Sequence, residues 1–161
     1  MWFKYLIIIL LLYFFALLQN SFFAHFNLFG AVPNLVFVFF FLLVFFEKPD
    51  KNLRVIFYAI IAGLFLDVFS CAYLGASIIL LIIIGFLIKK IQSLLKEKKD
   101  KHPFVYFLSL FLILLVIYDL LMPHLDMSFG IYFFGRMIYS LLFATAGFHV
   151  CKKIVKKDNV I

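Results

Sequence analysis

Charged side chains are scarce in this 161-residue sequence: Asp, Glu, Lys and Arg together make 14% of it, against roughly 25% in an average soluble domain. Hydrophobic residues make 67%, and mean hydropathy is +1.17. A soluble globule of this length has one core and needs a polar surface that so few charges cannot build. The apolar excess excludes a disordered chain, and two cysteines are too few for a disulfide scaffold. Catalytic motifs are missing as well. The sequence has no His-Glu-x-x-His, no Gly-x-Ser-x-Gly, no Cys-x-x-Cys, no Gly-rich phosphate loop and no Walker lysine. Its histidines, His25, His102, His124 and His149, are scattered, and His124 with Asp126 makes a weak start to a metal site. The expectation is a polytopic membrane protein that is not an enzyme and needs no cofactor or metal.

What is present is apolar sequence in runs of membrane-crossing length. Six spans are predicted, at about 3–18, 34–46, 53–69, 72–88, 104–122 and 131–150, within a single integral-membrane domain over 1–161. The second is short until its approach, 22–32, is counted. The first resembles a secretory signal peptide, with Lys4 ahead of an apolar run, but no small-residue cleavage site follows, so it reads as an uncleaved span. The net charge of +7 would suggest nucleic acid in a soluble protein. Its placement points elsewhere. Lys4 precedes span 1, and Lys48, Lys51 and Arg54 lie between spans 2 and 3. Lys89, Lys90, Lys96, Lys98, Lys99 and Lys101 lie between spans 4 and 5, and Lys152, Lys153, Lys156 and Lys157 follow span 6. Six spans therefore put 14 of the 15 basic residues on one face, which the positive-inside rule makes cytoplasmic. The expected fold is all-α, a six-transmembrane-helix bundle with both termini in the cytoplasm and no nucleic-acid partner. Cys71 and Cys151 then sit at opposite faces, about 30 Å of hydrocarbon apart, and cannot pair within one chain.

The longest polar stretch is the basic cytoplasmic loop 89–102. Ile88, Ile91, Leu94 and Leu95 keep helical spacing there, which predicts that span 4 continues as a basic amphipathic helix along the inner leaflet. Lys89, Lys90, Lys96, Lys98, Lys99 and Lys101 would then face anionic lipid, with docking of a cytoplasmic partner as the alternative. On the other face, Phe22, Phe23, Phe26 and Phe29 are mixed with polar residues, a pattern for the outer interface or a shallow re-entry. Gly30 breaks that helix and Pro33 resets the chain, so span 2 begins at Asn34.

Ionisable groups within spans are expensive in lipid and usually find partners. Three occur, Asp67, Asp119 and Arg136, all in the outer half of their spans. Arg136 is the one basic residue off the cytoplasmic face. A cation at the depth of two carboxylates predicts an ion pair, with Asp119 across a short hairpin or with Asp67. Locking of helix packing is the plainest role for it. A substrate or ion site and a polar contact for a partner's helix are the alternatives, and intramembrane hydrolysis by the two Asp is disfavoured by their outer position. Ala59, Gly63 and Asp67 share one helix face, as do Arg136, Ser140 and Ala144. Both small-residue stripes are expected to face the bundle interior and to complement each other.

Several short motifs resemble one family. Pro33-Asn34-Leu35-Val36-Phe37 is similar to the Pro-Asn/Asp-Leu opening of span 2 in the rod shape-determining MreD family. Gly63-Leu64-Phe65-Leu66-Asp67-Val68-Phe69-Ser70 with Leu74-Gly75 resembles that family's Gly-Leu-x-x-Asp-x-x-Ser…Leu-Gly signature. Asp119 late in span 5, Gln19-Asn20-Ser21 after span 1 and the total length agree. The resemblance implies a scaffold of the bacterial elongation machinery in the inner membrane. It implies direct binding to MreC through transmembrane helices and outer connections, and indirect links to MreB, RodA and a class B penicillin-binding protein of lateral peptidoglycan synthesis. Pro33, Asn34, Gly63, Asp67, Ser70, Gly75 and Asp119, with Arg136 from the charge pattern, become the structural or partner-binding candidates. The resemblance also implies a fold like the S components of energy-coupling-factor vitamin transporters, which supplies the alternative of a small-molecule binding or uptake protein. Span 1 carries Ala16 alone and lacks the Ala-x-x-x-Ala docking motif of those components, which argues against a transporter. A homodimer is left open.

Overall fold

A backbone in lipid has no water to bond, so uninterrupted runs of Ile, Leu and Phe close their hydrogen bonds within helices. A computed structural model describes residues 2–26, 30–47, 52–70, 73–95, 102–122 and 131–158, and their regular structure is helical. Helix α1 (Trp2–Leu17) runs on through a π-helical turn, Leu18–Phe22, and a last α turn, Phe23–His25. It is followed by α2 (Leu35–Phe46), α3 (Asn52–Ser70), α4 (Ala76–Leu94), α5 (Pro103–Leu121) and α6 (Ile131–Asp158). Five stretches are long and apolar enough to cross a membrane: Tyr5–His25, Asn52–Phe69, Ala76–Leu94, Pro103–Leu121 and Tyr132–Ile154. With 12 residues, α2 is shorter, at about 18 Å.

That short helix is the axis of the bundle. It is apolar on every side, and nine of its 12 residues are buried. Around it, α1 packs on α3, α3 on α4, α4 on α5 and α5 on α6, and each of the five touches α2. The ring closes between the extension of α1 and α6 at Phe23, whose ring lies 6.1 Å from Tyr139 and 5.3 Å from Phe143. Aromatic contacts key α2 to its neighbours. Phe37 lies 5.0 Å from Tyr118, Phe41 5.2 Å from Phe111 and Phe45 5.0 Å from Phe107, which is 4.7 Å from Phe148.

Lipid is as apolar as Leu, so close approach and polar contacts carry much of the association. Gly63 permits the closest approach of α3 to α4, where an added Cβ would lie 2.6 Å from Ile78 Cα. The two small-residue stripes do face inward, with Ala59, Ser140 and Ala144 fully buried and Gly63 buried. They do not meet each other, contrary to the expectation: the α3 stripe lies on α4, while Ser140 of α6 reaches the start of α2. A second correction concerns the start of the loop 89–102. The last turns of α4 remain in the bundle, with Ile88, Lys89 and Gln92 buried, because those residues hold the end of α2. Residues 96–101 lie outside the described residues.

Candidate functional site

A helix leaves its first four N–H groups without intrahelical partners, and inside a bundle water does not supply them. At the start of α2 each one is answered. Leu35 N–H donates to Pro33 O at 3.1 Å, and Val38 N–H makes the first intrahelical bond, to Asn34 O at 3.0 Å. Phe37 N–H donates to Asn34 Oδ1 at 3.1 Å, the bond expected of an N-cap asparagine. Val36 N–H reaches Gln19 Oε1 in the π-helical turn after α1, at 3.4 Å. Asn34's own N–H donates to Ser140 Oγ of α6 at 3.0 Å. Pro33 suits the position before the cap because it brings no N–H into a buried place. Ala31, Pro33 and Asn34 are all buried, so the chain re-enters the bundle ahead of α2.

The other end of α2 is held from α4. Lys89 is 6% exposed, and its Nζ donates to Val44 O at 2.8 Å and to Glu47 O at 2.5 Å. Gln92 Nε2 donates to Phe45 O at 3.1 Å, and Glu47 N–H closes on Leu43 O at 3.1 Å. Glu47 is tied to α3, with Oε1 accepting from Arg54 Nη1 at 3.0 Å and Oε2 from the Tyr58 hydroxyl at 3.0 Å. Lys89 is therefore removed from the lipid-facing set: its ammonium binds the negative end of α2. Lys90 is exposed. Lys96, Lys98, Lys99 and Lys101 lie outside the described residues.

Asp67 does the same work between α3 and α4. Its carboxylate, 1% exposed, accepts Gly75 N–H on Oδ2 at 2.6 Å and Ser77 N–H on Oδ1 at 3.0 Å. Gly75 takes φ +99°, a left-handed conformation that favours glycine, and this delays the start of α4 to Ala76. Both ends of the Gly63…Asp67…Gly75 motif thus serve one hairpin, and the Ser70 side chain lies outside what is described. The Ser77 hydroxyl lies 3.4 Å from that of Tyr118 on α5, linking the cap to the bundle core.

Asp119 and Arg136 behave differently. Arg136 Nη1 stands 3.8 Å from Asp119 Oδ1, too far for a good hydrogen bond. The Asp119 side chain is fully buried and that of Arg136 is 21% exposed. Among the described residues, neither Asp119 oxygen, nor Arg136 Nε, nor Asn34 Nδ2 finds a hydrogen-bond partner. With Asp67 committed to α4, Asp119 is the carboxylate that faces Arg136. Sequence reasoning misses Glu47, Tyr58, Ser77 and Gln92, and gives Gln19 and Lys89 other roles. Gln19, Glu47 and Lys89 carry the visible signal of a polar side chain at the end of an apolar run, whereas Tyr58 and Ser77 lie within runs.

The fold and these contacts define a polytopic helical membrane protein whose buried polar groups, among the described residues, chiefly hold helix ends, while the Asp119–Arg136 pair is loosely held. No curated protein and no solved structure matches the chain. The chain belongs to the MreD family: the model of the rod shape-determining protein MreD matches residues 1–154. Its role is in rod-shape determination, and it is a multi-pass protein of the inner membrane.

Proposed function

We propose that the chain is a non-enzymatic scaffold of the elongation machinery that crosses the membrane six times, has both termini in the cytoplasm and grips MreC. The family match over residues 1–154 carries this reading. The topology follows from the basic residues, which six spans gather on one face. For the sixth crossing, α2 supplies about 18 Å and the four residues 31–34 add about 13 Å when extended, together near the ~30 Å of hydrocarbon. Through MreC the chain would connect indirectly to MreB, RodA and the class B penicillin-binding protein. Its inner-face lysines, apart from Lys89, would meet anionic lipid.

The contact with MreC belongs at the end of α5 and the start of α6. Arg136 keeps 21% of its side chain exposed beside a buried carboxylate without hydrogen bonds, and a partner's polar group can reach the guanidinium there. Co-purification tests this: chain solubilised from cells expressing both proteins should retain MreC, and recovery of the chain alone would count against it. The same unpaired atoms favour a second reading, an S-component-like carrier for a small polar molecule. A thermal-shift screen of vitamins and cell-wall precursors separates the two. Ligand-dependent stabilisation that is lost in Arg136→Ala would favour the carrier.

A further inference from the structure

The Asp119–Arg136 pair is balanced in charge and open in hydrogen bonds. Arg136 Nη1 stands 3.8 Å from Asp119 Oδ1, yet neither Asp119 oxygen nor Arg136 Nε makes a hydrogen bond among the described residues. Packing fixes the flanks of Arg136. One turn before it, the Tyr132 ring lies against Gly30 so closely that a Cβ there would have no room. One turn after it, Ser140 Oγ accepts the Asn34 N–H at 3.0 Å. The re-entrant segment 30–34 is thereby pinned to α6 on both sides of Arg136. The first turn of α2 meets α5 where Phe37 lies 5.0 Å from Tyr118, the residue before Asp119. Three elements converge on the pair, and what they leave open is part of the guanidinium's side chain: Arg136 is 21% exposed there and Asp119 fully buried. Leu120, Leu121 and Tyr132 present exposed apolar and aromatic surface beside it, as a second helix requires.

These facts select the group that can dock. An incoming group meets a guanidinium, which donates and never accepts, so it must itself be an acceptor. Asp119 already supplies the one negative charge that Arg136 needs. A carboxylate from the partner would leave an unbalanced negative charge among apolar side chains, and an ammonium would leave a positive one. An uncharged acceptor adds neither. The backbone carbonyls of a transmembrane helix are spent on its own hydrogen bonds, so the acceptor is a side chain with a hydroxyl or a carboxamide.

We propose that MreC completes this site with one uncharged side chain, a Ser or Thr hydroxyl or an Asn or Gln carboxamide, that accepts a hydrogen bond from Arg136. This rests on MreC docking at this place; the absence of charge on its group is the new element. The two full-length proteins are co-expressed, and the MreC retained on the solubilised chain is measured. Each Ser, Thr, Asn and Gln in the outer half of MreC's transmembrane segment is replaced singly by Ala, with this chain unaltered. Retention should fall about threefold at one position, the size of an interhelical hydrogen bond in a membrane, and Asp at that position should lower it further. On this chain, Asp119→Asn with Arg136→Gln removes both charges and keeps donors and acceptors. That chain should retain MreC within about twofold of the unaltered one, whereas Asp119→Ala with Arg136→Ala should lose about threefold. Thermal unfolding of each chain by itself reads any loss of fold separately. No MreC on the unaltered chain would remove the docking reading and this proposal with it. With MreC retained there, three results would each overturn this proposal alone: a charged MreC residue as the sensitive one, no sensitive uncharged position, or equal loss from the two double variants.

Discussion

In Asp67 a carboxylate that is 1% exposed takes two backbone N–H groups from the start of the next helix, and this decides what its neighbours can do. Asp67→Ala should destabilise the chain by about 2–3 kcal/mol, because two buried donors lose a charged acceptor. Asp67→Asn keeps one acceptor oxygen and should cost about half as much, read from unfolding of the full chain in detergent. The glycines of the same motif separate two kinds of cost. Gly75→Ala meets nothing within 4 Å, so its penalty is conformational, about 1–2 kcal/mol. Gly63→Ala instead drives a Cβ against the backbone of Ile78, and it should push α3 and α4 apart at about 1–3 kcal/mol. Crosslinking between cysteines placed across that contact would register the separation in the second variant and not in the first. The same commitment of Asp67 leaves Asp119 for Arg136, so a double-mutant cycle on those two should give a coupling of about 1 kcal/mol, with none between Asp67 and Arg136. The sequence showed Asp67, Asp119 and Arg136 as exceptions in apolar runs. It could not choose between the two carboxylates, because that choice depends on the turn at Gly75.

At the scale of the element, α2 differs from every other helix: its 12 residues are apolar all round, and side chains from α1, α4 and α6 bind its ends. Its apolar run and its start at Pro33-Asn34 were readable from spacing and capping rules. Its central position was not, since an unbroken apolar run gives no face and so no direction. Lys89 illustrates the cost of reading neighbours together. It begins a lysine-rich stretch that continues to Lys101, so it looked like part of a lipid-facing set, yet it and Gln92 lie on the face that meets the last carbonyls of α2. Lys89→Met should therefore cost about 2–3 kcal/mol by leaving the carbonyls of Val44 and Glu47 without their donor, whereas Lys90→Met should change stability by less than about 0.5 kcal/mol. Thermal unfolding of the two variants side by side distinguishes a buried cap from a surface charge.

Across the whole molecule, composition specified the class and charge placement suggested an orientation, while the ring of five helices around α2 comes from packing that no single run announces. Two features stand out among the described residues once the helix ends are satisfied. One is the seam between α1 and α6, a largely apolar groove whose Arg54 is paired with Glu47. The other is the loose Asp119–Arg136 pair, which bundle packing alone leaves unsatisfied and which is the natural place for a partner to complete. Tyr132 of α6, 53% exposed and one turn before Arg136, reports on that place, and Leu10 of α1, 57% exposed, serves as a control on a different helix. A photo-crosslinking residue at each position, in cells making both proteins, tests the central claim most directly. A crosslink to MreC from position 132 and none from position 10 is the predicted result; no crosslink from position 132, or one from position 10 alone, would contradict it.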